Sequence, residues 1–221
     1  VSHIDFEVPR IYLFLGKTKS GKSYAMKYIL REAISQGVLN ENNSLVFTTT
    51  KFNGQYNWLP HVTQKYDARL LNSVIAQAKA MREKYNDRIK PFFIIFDDIM
   101  GDIDMRKTPE LVRLMTTYRH YNISIFIAQQ YCMGGVCSPA IREQIGYIFA
   151  FANTGARSEK NIFESYCQPY FDSKKEFAAT MKAITGDDDD EQDQHRCMLI
   201  DATKKRQREA ISRFVAGELN D

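Results

Sequence analysis

IYLFLGKTKSGKSYAMKYILREAISQ, residues 11–36, decides how the rest of the chain is read. Ile11 to Leu15 form an apolar run without alternation, which suits a strand buried on both faces. A loop with Gly16 and Gly21 follows, and apolar residues then recur at helical spacing to Gln36. Between strand and helix, Gly16, Gly21, Lys22 and Ser23 satisfy G-x-x-x-x-G-K-[ST]. Such a loop turns its backbone N–H groups, with the positive end of the following helix, around a β-phosphate. The expected nucleotide-binding stretch is Gly16, Lys17, Thr18, Lys19, Ser20, Gly21, Lys22, Ser23 and Tyr24. Lys22 is expected to place its charge at the β- and γ-phosphates, and Ser23 to offer its hydroxyl to Mg²⁺.

Further strands are expected at SLVFT (44–48), FFIIFD (92–97), ISIFIA (123–128) and YIFAF (147–151). Helical patterns separate them at residues 22–36, 68–85, 109–120, 139–145 and 156–166. Strand and helix in alternation imply parallel strands joined by right-handed crossovers, with helices on both faces. The expected fold class is therefore α/β, a three-layer P-loop fold with a mainly parallel sheet. Residues 196–201 and 210–217 read as an added strand pair joined by a basic turn, after a short helix within 167–186.

The 221 residues, 44% hydrophobic, suffice for one sizeable core, so residues 1–221 are expected to form a single domain. Residues 1–10 form an N-terminal extension, and 167–221 a C-terminal elaboration with a solvated acidic loop at 187–193. That run lacks the Gly and spaced Glu of a calcium loop. Val1 in place of Met suggests a fragment or processed product. No stretch reaches the roughly 20 apolar residues of a membrane span, and the first ten residues lack a secretion signal's apolar centre, so a soluble, intracellular protein is expected. Cys132, Cys137, Cys167 and Cys197 are scattered without CxxC pairs, which fits reduced thiols. The net charge of +3 is too weak a bias to select a polyanionic partner.

FFIIFDD (92–98) carries two carboxylates to the carboxyl edge of the sheet, where open α/β folds bind ligands. Asp97 is expected to hold Mg²⁺ through its water shell, and Asp98 to orient or deprotonate the attacking water. The strand 123–128 ends in Gln129 and Gln130, amides able to bond both a γ-phosphate and that water.

Together GKTKSGKS (16–23), IIFDD (94–98) and YRHYNISIFIAQQ (118–130) resemble the FtsK/HerA superfamily of DNA-pumping ATPases, especially the genome-packaging ATPases of large double-stranded-DNA viruses and virophages. The resemblance covers residues 11 to about 151. It implies a sensor role for Gln130 and, for Arg119, a reach to the γ-phosphate of a neighbouring subunit. Arg157 is the rival for that reach. Two positions depart from the family pattern: Asp98 stands where cellular relatives usually carry Glu, and Asn122 where a Gly is usual. Asn is among the few residues that tolerate a positive φ.

The function so implied is an ATP-hydrolysing translocase that packages viral double-stranded DNA into preformed capsids. It implies ATP and Mg²⁺ as cofactors, a homo-oligomeric ring, hexameric by resemblance, and capsid or portal-vertex proteins as partners. The expected location is the host-cell cytoplasm or a viral factory, with association with the virion an open alternative. A P-loop nucleotide kinase and a non-motor recombination accessory are the alternatives. A kinase should carry an Arg-rich lid, and no compact cluster of that kind occurs between residues 120 and 170. Candidate DNA-facing loops are 51–58, 102–109 and 204–208, and 130–139 could relay γ-phosphate loss through Gly134 and Gly135. His61 and His120 lack partners at ligand spacing and are read as packing or surface residues.

Overall fold

The computed structural model describes residues 4–50, 54–85, 89–100, 103–104, 107–130, 139–152, 156–186, 196–204 and 207–219. In chain order the strands are β1 (Ile11–Leu15), β2 (Ser44–Thr48), β3 (Val62–Thr63), β4 (Phe92–Asp97), β5 (Ile123–Gln129), β6 (Ile145–Phe151), β7 (Arg196–Asp201) and β8 (Ile211–Val215). They form one sheet in the order β3-β2-β4-β5-β1-β6-β7-β8. The pairs from β3 through β6 are parallel, and β6–β7 and β7–β8 are antiparallel. Every residue of β1, β2, β4, β5 and β6 is buried, which is why these strands appear in the sequence as continuous apolar runs.

Helices α1 (Lys22–Ser35), α2 (Ala68–Tyr85), α3 (Pro109–Thr117), α4 (Pro139–Arg142), α5 (Ala156–Ile162), α6 (Lys174–Thr185) and α7 (Gln207–Ala210) accompany the sheet. One face of the sheet packs Ile11, Leu13, Ile94, Ile125 and Ile127 with Leu71, Leu111, Leu114 and Phe177 from α2, α3 and α6. The other packs Tyr12, Phe14, Ile95 and Phe126 with Ala25, Met26 and Ile29 of α1. The three-layer α/β expectation thus stands. Burial of the Leu, Ile, Phe and Met side chains among these stabilises each by about 1.5–3 kcal/mol relative to exposure.

Several local readings change. The helix expected over 109–120 ends at Thr117 and tightens into a 3₁₀ turn over Tyr118–Tyr121, where Arg119 sits. Asn122 then caps that turn at φ 54° and ψ 47°, the conformation Asn tolerates. The segment 139–145 holds only the four residues of α4 before β6 begins at Ile145. After α5 the chain widens to a π-helix over Phe163–Cys167 and a 3₁₀ turn over Gln168–Tyr170. The expected basic turn between β7 and β8 includes α7. The N-terminal extension packs inward: Ile4 and Phe6 are buried, and the Tyr12 hydroxyl donates to the Asp5 carbonyl at 3.1 Å. Cys167 and Cys197 are buried free thiols. The acidic run 187–193, Cys132, Cys137, Gly134, Gly135 and Gly155 lie outside the described residues. Among the described residues no helix is long and apolar enough to cross a membrane.

Candidate nucleotide site

β1 delivers its carboxyl end to Gly16, and the loop closes at Gly21, whose φ of 93° opens α1. Lys19 also adopts a positive φ, 63°, within this turn. A Cβ at Gly16 would lie 2.5 Å from Ser20 Oγ and 2.8 Å from Phe151 Cβ, so only glycine fits where loop and β6 converge. Lys22 is 4% exposed, and its Nζ donates to the Gly16 and Lys17 carbonyls at 2.9 Å each. Burial lowers its pKa, and the charges of Asp98 and Asp97 oppose that shift.

β4 lies two strands from β1, with β5 between them. Its last residue, Asp97, is 1% exposed, and both carboxylate oxygens are bonded. Ser23 donates to Oδ1 at 3.1 Å, and Tyr56 donates to Oδ2 at 2.9 Å. Burial pushes the Asp97 carboxyl up to about 6, the Tyr56 and Ser23 hydrogen bonds and Lys22 act in the opposite direction, and Asp98 adds to the rise. Asp98 follows at φ 52°, and its N–H donates to the Ala128 carbonyl at 2.9 Å, which ties β4's end to β5. Its Oδ1 is buried without a hydrogen-bond partner, as are Ser20 Oγ and Gln129 Nε2. Gln129 pairs in register with Leu15, its carbonyl accepts the Gly16 N–H at 3.4 Å, and half-buried Gln130 follows just past the strand.

Lys22, Ser23, Asp97 and Asp98 border a cleft of about 740 Å³ lined by residues 18–24 with Lys27, Thr50, Gln55, Asp97, Asp98 and Leu219, and Gln129, Gln130 and Tyr56 stand outside that lining. The unpartnered Asp98 and Ser20 oxygens are unmet polar capacity of the kind a bound polar ligand satisfies, and Lys22 spends its charge on two loop carbonyls that it can exchange for phosphate oxygens. A hydroxyl and a carboxylate side by side are oxygen donors suited to Mg²⁺ with a retained water shell. The residues present therefore fit a magnesium–nucleotide.

Arg119 occupies the other end of the molecule. It precedes β5, which is parallel to β1, so seven strand residues, roughly 20 Å, separate it from the edge bearing the phosphate loop. Its side chain is exposed, its Nε donates to the Tyr118 hydroxyl at 2.9 Å, and its carbonyl accepts from Arg82 at 2.7 Å. Arg157 is exposed in the first turn of α5, which follows β6 and so stands at the same edge as the phosphate loop.

Tyr56 is the site residue that the motifs do not announce. In the loop 51–58, residues 51–53 lie outside the described residues, and the rest turns inward instead of presenting a wholly open surface. Tyr56 is 3% exposed, Leu59 is buried, and Trp58 carries the Arg31 guanidinium 5.3 Å from its ring centroid. A buried aromatic with a polar tip in a Gly/Asn-rich loop is the one signal that could have marked it.

Residues 7–209 match the family model described as Poxvirus A32 protein. The chain belongs to the poxvirus A32 protein family. The matched span of this A32-family chain takes in the phosphate loop, Asp97, Asp98, Arg119 and Gln130, and ends before β8. The chain is 21% identical over 196 residues to the uncharacterized protein 015R of Frog virus 3 (isolate Goorha), covering 86% of this chain and 56% of that protein. It thus spans about half that relative's length. Its fold is shared with B204, the DNA-packaging ATPase from Sulfolobus turreted icosahedral virus, at a TM-score of 0.67 and 15% identity, covering 96% of this chain and 100% of the other. The genome-packaging NTPase B204 from Sulfolobus turreted icosahedral virus 2, in complex with AMPPCP, superposes at 0.61 with 15% identity, covering 93% and 96%.

Proposed function

We propose that this A32-family chain hydrolyses ATP and couples hydrolysis to moving double-stranded viral DNA into preformed capsids. The observation that carries this reading is the 3.1 Å contact between Ser23 and Asp97, which joins the phosphate loop to the carboxylate strand across an intervening strand. That arrangement, with a strand-end amide on the intervening strand, is suited to a γ-phosphate and an attacking water. The family match and the fold shared with B204, which is bound to an ATP analogue in one structure, support the same reading.

In this account the phosphate loop N–H groups and Lys22 hold the β- and γ-phosphates. Ser23 and Asp97 hold Mg²⁺, which when bound neutralises charge on those phosphates. Asp98 orients the attacking water and accepts its proton through the Oδ1 that has no protein partner. Gln130 bonds the water and the γ-phosphate, and so senses its loss. Arg119, at the far edge of the sheet, serves a neighbour's nucleotide in a ring, which we take to be hexameric. Capsid or portal-vertex proteins are the expected partners, and the host-cell cytoplasm or a viral factory is the expected place of work.

Electron microscopy of the purified protein with a nonhydrolysable ATP analogue and duplex DNA tests the proposal. Closed rings threaded by DNA are the expected image. Nucleotide-bound monomers that ignore DNA at every concentration would overturn the motor reading.

A further inference from the structure

β8 and the residues after it lie beyond the span matched to the family, yet they return to the nucleotide site. Phe214 and Ala216 are buried on the α1 face of the sheet, and the Phe214 ring meets Tyr28 of α1 edge-on with centroids 6.4 Å apart. Two contacts then fix the chain's course. The Tyr24 hydroxyl donates to the Gly217 carbonyl at 3.0 Å. Gly217 itself runs so close over Tyr28 that a Cβ there would lie 3.0 Å from the hydroxyl and 3.1 Å from Cε2. Held at both points, the segment brings half-buried Leu219 to the wall of the cleft that the phosphate loop lines.

The polar end of this cleft is already accounted for. Asp97, Asp98, Thr50 and Gln55 stand on the β4 and β2 side, where the reactive phosphate belongs in the reading proposed above, on which this inference rests. Leu219, Tyr24 and Lys27 border the cleft beyond the start of α1, and they bring an apolar side chain, an aromatic ring and an aliphatic stem. A nucleotide anchored by its phosphates presents a flat apolar base at the opposite end from its γ-phosphate. Aromatic and aliphatic surface is what such a base packs against.

We infer that residues 216–219, pinned to α1 through Tyr24 and Tyr28, form the base-side wall of the nucleotide pocket, with Leu219 packing against the heterocyclic base. The strand pair β7–β8 thereby acquires a role in substrate binding: it carries this wall across α1 to the phosphate loop.

Two variants outside the phosphate-binding machinery test the wall. Leu219→Ser removes the apolar contact, and Gly217→Val pushes the segment off the Tyr28 ring. Calorimetric titration with AMPPCP and, separately, with inorganic tripolyphosphate, both with Mg²⁺, separates base from phosphate binding, because tripolyphosphate has no base. Each variant is expected to bind AMPPCP roughly tenfold more weakly, about 1.4 kcal/mol, and to bind tripolyphosphate as the unaltered protein does. Unchanged AMPPCP affinity in both variants overturns the inference. So does a parallel loss of both ligands, which would mean that the segment shapes the phosphate loop. If the unaltered protein binds neither ligand, the nucleotide reading fails first.

Discussion

The Tyr56 hydroxyl donates to Oδ2 of Asp97 at 2.9 Å from 41 residues earlier in the chain, on the side of the carboxylate that Ser23 leaves open. The two hydroxyls fix the carboxylate plane before any ligand arrives. Partners of this kind around a metal-binding group typically change affinity 10- to 100-fold when removed. Tyr56→Phe keeps the buried ring and deletes the bond, so Mg²⁺-dependent binding of a fluorescent ATP analogue is expected to weaken by about tenfold. Binding without Mg²⁺ should change little. Unfolding in urea should show a loss of about 1–2 kcal/mol, since Oδ2 is left buried without a partner.

Asp97 also predicts a pH dependence of the metal-free, nucleotide-free protein. Its carboxyl is raised from 3.8 to about 6, chiefly by burial. Between those values the folded state keeps a proton that the unfolded chain releases, so stability falls as pH rises through the window. The ionised form costs on the order of 2–3 kcal/mol above pH 6. Asp97→Asn should therefore flatten this part of the stability profile and raise Tm relative to the unaltered protein at pH 7.5 in EDTA, with little difference near pH 4. An unchanged slope between pH 4 and 6.5 would assign the dependence to other groups.

Asp98 tests chemistry apart from occupancy. Asp98→Asn preserves shape and removes the base, so Mg²⁺–ATP binding should hold while turnover falls by about 10²- to 10⁴-fold. Normal hydrolysis by this variant would hand the water to another residue.

Arg119 tests the ring. An arginine supplied by a neighbour can contribute about 10³ to 10⁵ in rate. Arg119→Ala should bind ATP nearly normally and fail to hydrolyse it. Mixed with Lys22→Ala subunits, it should recover part of the activity, because one protomer then offers an intact Arg119 to the other's intact phosphate loop. If Arg157→Ala shows that behaviour instead, and Arg119→Ala hydrolyses normally, the finger belongs at the loop's own edge of the sheet.

The sequence makes the central strands plain because β1, β2, β4, β5 and β6 are buried on both sides and so are spelled mainly with large apolar residues, few polar ones breaking the runs. The phosphate loop is legible because its glycines answer backbone demands, a close approach at Gly16 and a positive φ at Gly21. β3 escapes notice because two half-exposed residues, Val62 and Thr63, make no periodic signal. Tyr56 and Leu219 escape for a different reason. Each is placed by a tertiary contact, Tyr56 behind Asp97 by its own hydrogen bond and Leu219 at the cleft wall by the bond from Tyr24 to Gly217, between segments that share no local pattern. The 3₁₀ and π turns after α3 and α5 are likewise set by packing, for helical periodicity over so few residues cannot tell these ladders apart.

Phosphate release with and without linear duplex DNA separates an ATP-driven motor on double-stranded DNA, the function proposed for this chain, from a nucleotide kinase. The unaltered protein should release phosphate from Mg²⁺–ATP several-fold faster when DNA is present. Lys22→Ala should remain at background in both conditions, a loss of about 10²- to 10³-fold, with its fold intact by circular dichroism. Turnover indifferent to DNA, or phosphate passed to a small-molecule acceptor in place of water, would rule out a DNA motor.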